Sequence, residues 1–520
     1  MSTPRFANLP LSRLDRLAAV LLLTLAAVLV PAAMARAEGI SVTNTEDHGT
    51  GSLREAIAKA NLSPGADTVA FAPGVTGTIE LETALPEIES DMEIAGPGQS
   101  ALTVRRAVAA PFRIFTIGNR SVSISAMTVS NGKAENGAGV DSQGALTLDH
   151  ITLSGNEVAG EFASGGAIYI PDGTGPLILR ESIIAGNVAR ASAASRARAS
   201  GAGVAAFSGG LIFRSTISNN TAEASAPTGS VGVLGAGVIL EGIVGSAIEQ
   251  STISGNVART GGGSTETVVE GGGAFTNGVT ITGSTIVANS AEASKVTGAN
   301  LFNFHIASLP DTTVRDSIIA GPSGGSSCGG VVVSEGFNVE DGTSCGFTQA
   351  SDHSGVNPGL APNLADNGGP TPTYALLPNS IAIDQGRAFG ATADQRGMQR
   401  PIDLGSIANA PGGDGSDIGA FEASAASPRD TRPPNTRISH GPARRSTRHL
   451  ARFRFSSTEA GSRFQCKLDR APFRRCTSPF RHRVKTGRHV FEVRAIDAAG
   501  NVDRTPARYV WRVQARRRAA

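Results

Sequence analysis

One phrase recurs through the middle of this chain and restricts its fold more than any other feature. Ser-Thr-Ile-Ser-Gly-Asn at residues 251–256 returns, with variation, at 151–156, 182–187, 215–220 and 284–289, and in part at 317–321. The closing asparagines, Asn156, Asn187, Asn220, Asn256 and Asn289, are spaced by 31, 33, 36 and 33 residues. Between them a glycine-rich segment recurs at 137–140, 165–168, 201–204, 235–238 and 272–275. A repeat of this length is one supersecondary unit, which buries its apolar face only by stacking on its neighbours.

Strands, not helices, make up the unit. Leu146 and Leu148 alternate with Thr147 and Asp149, and Val279 and Ile281 with Thr280 and Thr282, which is the period of two of a half-buried strand. Helical arrays with a similar period need helix formers where this chain has glycine and threonine. The 64 glycines and 27 prolines predict many turns, and aromatic residues make up only 5% of the chain. The expected class is all-β: a parallel β-helix in which each repeat is one coil and coils stack at about 4.8 Å. The recurring asparagine is expected to occupy a left-handed turn and to bond along the axis as an amide ladder, rather than to hold sugar or metal. Residues 189–200, rich in alanine and arginine, read as a surface loop interrupting one coil.

The ends of such a stack need covers. At the amino end Ser52-Leu53-Arg54-Glu55 has the form of a capping box. Leu53, Ala56, Ile57 and Ala60 then fall on one face of a short helix that Asn61 and Pro64 stop.

The first 37 residues carry Arg5, Arg13 and Arg16, then a 14-residue apolar run from 17 to 30, then Pro31 and Ala35-Arg36-Ala37. That layout predicts a secretory signal peptide cut after Ala37, or alternatively after Ala35, since a spanning helix needs about 20 apolar residues. No other apolar stretch of spanning length follows, so the mature chain is expected to have no membrane span and to be extracellular or at the cell surface. Four cysteines suit that compartment. Of the three possible connectivities, the local one is expected, Cys328 with Cys345 and Cys466 with Cys476. The spacing lacks the close couplets of a zinc site, and no metal or cofactor is expected.

These residues carry a likeness to known families. Residues 51–57, Gly-Ser-Leu-Arg-Glu-Ala-Ile, with the turn at 64–68 and Phe-Ala-Pro-Gly at 71–74, resemble the CSLREA domain at the start of many secreted bacterial β-helix proteins. Gly51 stands where that family's name places cysteine. Asn357-Pro358, the stretch 364–373, Asp394-Gln395-Arg396-Gly397 and residues 417–422 resemble the close of the choice-of-anchor Q family. The resemblance covers 39–422 and implies a right-handed β-helix at the bacterial surface, in a family whose members mostly have no assigned activity.

Beyond a linker at 423–435, residues 436–515 alternate with period two at 452–455, 464–468, 491–495 and 509–513, as a small sandwich would. They resemble bacterial Ig-like repeats with a Glu-Ala-Gly-Ser turn, here 459–462, and a terminal Asp-x-x-Gly-Asn hairpin, here 497–501. The resemblance places a local disulfide at Cys466 and Cys476. Asp497, Asn501 and Asp503 read as turn residues rather than a calcium cluster. Residues 516–520 form a basic tail.

No catalytic residue is assigned. An inverting glycoside hydrolase needs two carboxylates roughly 6.5 to 9.5 Å apart. Asp149, Glu181, Glu249 and Asp316 stand at similar positions before the Ser-Thr-Ile strand, but Arg214 interrupts the column, and the set reads as a solvated face. A calcium-dependent lyase would need an Asp-rich cluster that is absent, and sugar-stacking platforms would need more exposed aromatics than the composition suggests.

Charge says more. The formal net charge of +2 conceals an acidic stretch over 38–427, with 18 Lys and Arg against 37 Asp and Glu, and a basic one from 428 onward, with 24 against 6. A basic module of that kind suits an anionic envelope polymer or acidic polysaccharide, with extracellular nucleic acid the less favoured polyanion. Its candidate contacts are Arg444, Arg445, Arg474, Arg475, Arg481, Arg483, Arg516, Arg517 and Arg518. The expected function is a non-catalytic adhesion or display rod with a basic tether. The alternative is a polysaccharide-active enzyme of pectate-lyase-like or glycoside-hydrolase type. The basic module could also fold back on its own acidic rod, or pair the chain with a second copy; the sequence leaves the oligomeric state open.

Overall fold

The computed structural model describes residues 39–242, 245–264, 266–424, 433–459, 462–496 and 501–515. The segment read as a signal peptide and Arg516, Arg517 and Arg518 lie outside them. The chain divides into two compact units, Met1–Ala423 and Ser424–Ala520.

The first unit is a parallel β-helix. A typical coil runs through Val204–Ala206, Gly210–Phe213, Thr216–Ser218, Thr221–Ser225 and Ser230–Leu234 before the next begins at Val238. Each strand pairs in parallel with its counterpart one coil away, for example Ile184 with Ile217 and Ile217 with Ile253. The five strands of a coil belong to five sheets. We label them C (eight strands), A (eleven), B (eleven), D (six) and E (five) in the order the coil visits them. Eleven strands at the usual spacing of about 4.8 Å make a stack of about 50 Å.

The alternation seen in sequence is the alternation of the core. Leu146 and Leu148 point inward from sheet A, and Leu153, Ile184, Ile217, Ile253, Ile286 and Ile319 form one buried column on sheet B. Each such side chain contributes about 1.5 to 3 kcal/mol of apolar burial.

Three columns of left-handed residues make the corners. One precedes the Gly-rich strand, as at Gly201 and Gly235, and one precedes the Ser-Thr-Ile strand, as at His150, Glu181, Arg214, Gln250 and Asp316. The third lies just before the recurring asparagine, at Gly155, Gly186, Asn219, Gly255 and Ala288, and at Gly321 before Pro322. This corrects one expectation: the conserved-looking asparagine is not the left-handed residue, its predecessor is. Freed from the corner, the asparagine turns its side chain along the axis.

The amide ladder itself is continuous. Nδ2 of Asn156 donates to Oδ1 of Asn187 at 2.9 Å, Asn187 to Asn220 at 2.9 Å, Asn220 to Asn256 at 3.0 Å and Asn256 to Asn289 at 2.9 Å. Each acceptor oxygen also takes the backbone N–H of the preceding asparagine, and each amide also donates to a carbonyl, as Asn220 does to Ile184. At the next coil the repeat has Pro322 instead, and Asn300, from the start of a sheet C strand, supplies the last rung at 3.0 Å. A serine ladder runs beside it: the backbone N–H of Ser182 donates to Oγ of Ser215, Ser215 to Ser251, Ser251 to Ser284 and Ser284 to Ser317, closing on Asn338. The glycine-rich motif serves this arrangement, since a Cβ at Gly237 would lie 2.7 Å from Nδ2 of Asn256.

Residues 189–200 are not a loop. They supply Val188–Ser192 to sheet D and Arg196–Ser200 to sheet E. Ala189, Ala191, Ala197 and Ala199 are buried between these two sheets, with Ala222, Ala224, Val231 and Val233 of the next coil, in a second, small-residue core. Arginine faces outward, and on sheet D Arg190, Glu223, Arg259 and Glu292 alternate in sign along the axis. Alanine at every second position carries no strand signature of its own; its small size lets two sheets close on each other.

Helix α1 (Leu53–Leu62) covers the amino end, burying Leu53, Ala56, Ile57 and Ala60 as the sequence predicts. Oγ of Ser52 accepts from the N–H of Glu55, while the Glu55 carboxylate takes the N–H of Gly51, one residue earlier than in the usual capping box. Arg54 ties the helix to the rest by donating to Asp47 and to the Thr83 and Ala84 carbonyls. At the other end Cys328 and Cys345 form a disulfide.

The second unit has two sheets around one core. Sheet F consists of Thr436–His440, Leu450–Ser457 and Phe480–Arg483. Sheet G consists of Arg445–Ser446, Ala507–Val513, Gly487–Ile496, Arg463–Leu468 and Arg474–Cys476. Phe453 and Phe455 of F pack on Phe491, Val493, Trp511 and Val513 of G, with Phe453 stacked on Phe491 at 4.0 Å. Cys466 and Cys476 form the second disulfide. Among the described residues no helix is long and apolar enough to cross a membrane.

Asn220→Ala removes the acceptor of two Asn187 donors and two donors from buried acceptors. Leaving such groups unpaired costs about 1 to 3 kcal/mol each, so we expect a loss of about 3 kcal/mol or more, read as a lower melting temperature by circular dichroism. An unchanged melting temperature would remove the ladder from its supporting role.

Candidate polyanion interface

The basic candidates divide between two surfaces. On sheet F, antiparallel pairing sets Arg452 directly opposite Arg481, Leu450 opposite Arg483 and Arg454 opposite His440. The alternation that buries Ala451, Phe453 and Phe455 turns Arg452 and Arg454 outward, where they are exposed together with Arg481 and Arg483. Like charges directly across a strand pair destabilise a sheet. Beside this face, His440, Arg445, Arg448, Arg452 and Arg454 line a cleft of about 780 Å³.

None of the described carboxylates lines that cleft. Asp469 holds His489 at 2.8 Å, and Glu492 takes both Lys467 and Arg508. Asp503 accepts from Thr436 and Thr505, the turn role expected of it; burial pushes its pKa up, but these hydrogen bonds outweigh that and hold it below the usual carboxylate range. Asp497 lies outside the described residues. Among the described residues no group of three or more His, Cys, Asp or Glu is placed to hold a metal ion.

Of the sequence candidates, Arg445, Arg481 and Arg483 therefore share one region. Arg474 and Arg475 lie on the edge strand of sheet G, and Arg444 lies over the Tyr509 ring at 5.5 Å. The structure adds Arg448, Arg452, Arg454 and His440. Arg452 and Arg454 were visible as the alternating partners of Phe453 and Phe455, a pattern that marks a strand and also, by the same parity, its outer face.

The acids before the Ser-Thr-Ile strand are not one column. Asp149 and Glu249 end sheet A strands in register with Arg180, Phe213, Thr282 and Arg315, whereas Glu181, Arg214 and Asp316 sit one residue further on, at the corner. His150 joins two of them, with Nδ1 2.7 Å from Asp149 and Nε2 2.7 Å from Glu181, and Arg214 reaches Glu181 at 3.0 Å. Nor is the set uniformly solvated, because Asp316 is fully buried.

Asp316 belongs to a lock. The segment from 355 to 423 lies along the outward threonines of sheet B. The Gln395 amide donates to Oγ1 of Thr216 and accepts from Oγ1 of Thr252, Thr216 donates to the Pro372 carbonyl, and Ala420 N–H donates to Oγ1 of Thr285. Arg400, buried, bonds Asp316 at 2.7 Å and Gln250 at 3.0 Å and lies 3.4 Å from Glu422. Arg396 pairs with Asp394 and covers the Phe421 ring at 3.6 Å. One buried guanidinium facing two carboxylates leaves a proton to be shared. Burial pushes Glu422 up to about 8 and Asp417 up to about 6, and raises Asp316 well above its usual range, against the pull of Arg400.

No protein-family model matches this chain, and no curated protein does. Function therefore rests on the geometry alone.

Because the folded carboxyl of Glu422 holds a proton to about pH 8 and the unfolded one only to about 4.5, the folded state binds the extra proton between them. Stability from this group is full at low pH and is lost as pH rises through about 8. We expect the melting temperature to fall from about pH 4.5 to about pH 8 and Glu422→Gln to flatten that fall. An equal slope in the variant would refute the assignment.

Proposed function

We propose that this is a secreted or cell-surface, non-catalytic β-helix protein whose second unit is an Ig-like module that binds an anionic envelope polymer. The observation that carries this is the face of sheet F, where Arg452, Arg454, Arg481 and Arg483 stand exposed beside the arginine-lined cleft, which none of the described carboxylates lines. Such a face costs folding stability by mutual repulsion, and an extended polyanion relieves that repulsion while releasing its own counterions. Export is supported by the leader-like amino end, by four cysteines paired in two disulfides, and by the absence of a spanning helix among the described residues.

The competing reading, a polysaccharide-active enzyme using Asp149 and Glu181, has less support. His150 bonds both carboxylates, and Arg214 takes the other oxygen of Glu181, so the pair faces its own partners rather than an open cleft. Loss of polysaccharide cleavage on replacing Asp149 or Glu181 would reverse this preference.

The full chain is expected to be retained on a polyanionic column at low salt and to elute by about 0.5 M, where charges are screened within several ångströms. Arg452→Glu with Arg481→Glu should elute at clearly lower salt with an unchanged melting temperature, and the carboxylated, sulfated or phosphorylated column that retains the wild type longest identifies the polymer's anionic group. Retention insensitive to the double substitution would sink the proposal.

A further inference from the structure

Four of the first unit's aromatics, Phe162, Phe207, Phe275 and Phe304, meet at one groove. The outward column of sheet C reads Asp141, Tyr169, Ala205, Ile239, Phe275 and Phe302 on successive coils. Where this column meets sheet E, a groove of about 380 Å³ has Phe162, Phe207, Phe275 and Phe304 in its lining together with Glu241, Glu270 and Arg198. Phe275 stacks on Phe304 at 5.8 Å and lies 5.5 Å from Phe302, and Tyr169 meets Phe207 edge-on at 6.0 Å. Phe162 is 51% and Phe304 46% exposed, with Arg196 6.0 Å over the Phe162 ring and Phe275 stacked on Phe304, so both side chains keep apolar surface open to solvent beside the carboxylates.

The chemistry of the lining selects its occupant. A purely apolar ligand would strip water from Glu241 and Glu270 without replacing its hydrogen bonds, which is costly. A polyanion meets two carboxylates in the lining, with Asp172 near Glu241, against Arg198 in the lining and Arg196 over the Phe162 ring. A neutral sugar chain avoids both penalties: its C–H faces lie on aromatic rings, and its hydroxyls donate to carboxylates. Burial already pushes the Glu241 carboxyl above its ordinary range, with Asp172 adding to the effect and Arg198 opposing it, as for a group in a partly dried groove. Few convergent polar groups in a largely apolar, aromatic concavity is the usual make-up of a small-ligand site.

We propose that this groove binds a linear, uncharged oligosaccharide, with sugar faces on Phe162 and Phe304 and hydroxyls on Glu241 and Glu270. The site is separate from the arginine face, so one chain would hold an anionic polymer through its second unit and a neutral glycan through its first.

The test is titration calorimetry of the full chain with cellohexaose and with chitohexaose. One of them should bind, and Phe162→Ala and Phe304→Ala should each weaken it about ten-fold, or about 1.4 kcal/mol, within the range of a lost aromatic contact. Both side chains are half exposed, so the variants should keep the wild-type melting temperature. Arg452→Glu with Arg481→Glu should leave the sugar affinity unchanged, which separates this site from the polyanion interface. No heat with either sugar, or binding indifferent to both phenylalanine variants, overturns the proposal. So does self-association that Phe304→Ala abolishes, because the groove would then hold a second copy.

Discussion

Hydrogen bonding along the stacking axis is the constraint on which the first unit depends. A coil of about 33 residues has too little apolar surface to fold alone, and its strands are three to five residues long, too short to be stable singly. What holds successive coils in register is the continuation of every strand into the next coil, reinforced at one corner by the asparagine ladder from Asn156 to Asn300. Every buried amide in that ladder finds both its donors and its acceptor within the stack. The same requirement explains the motif: a left-handed residue turns the chain, the asparagine follows with its side chain axial, and a glycine on the facing strand leaves the space.

That constraint also decides where variation is tolerated. Between the asparagine and the next glycine corner the repeat lengthens or shortens, and there the chain makes the second core of sheets D and E. Alanine and valine fill it because nothing larger is needed, and the outward positions carry alternating charge instead of a uniform sign. The closing segment obeys the same geometry from outside. Its Gln395 seats on the threonine column that the repeats expose, and Arg400 reaches the corner residue Asp316. The motif at 394–397 and that at 417–422 therefore meet at one buried lock, with Asp394 accepting from both Arg396 and the Glu422 N–H.

In the second unit the sequence asymmetry of charge becomes a surface. Arginine at every second position of Leu450–Ser457 is forced outward by the phenylalanines that fill the core, and antiparallel pairing then sets Arg452 against Arg481. Among the described carboxylates of this unit, Glu492 is engaged with Lys467 and Arg508 on sheet G, Asp469 with His489, and Asp503 in its turn. The net charge of the whole chain conveys none of this, since an acidic and a basic region nearly cancel.

By itself the sequence determined the repeat, the strand class, the capping helix with its four buried residues and the local pairing of both cysteine couples, because each is written in periodicity or short spacing. It misplaced the left-handed residue by one position and read an alanine-rich sheet pair as a loop, since alanine carries no strand signature until a second sheet faces it. Glu181 and Glu249 looked equivalent in sequence, but one sits at a corner and the other ends a strand, a difference of one residue that only register reveals. The clustering of Phe162, Phe275 and Phe304, more than a hundred positions apart at the extremes, was likewise decided by stacking: composition counts aromatics, and only the coil geometry brings them to one groove.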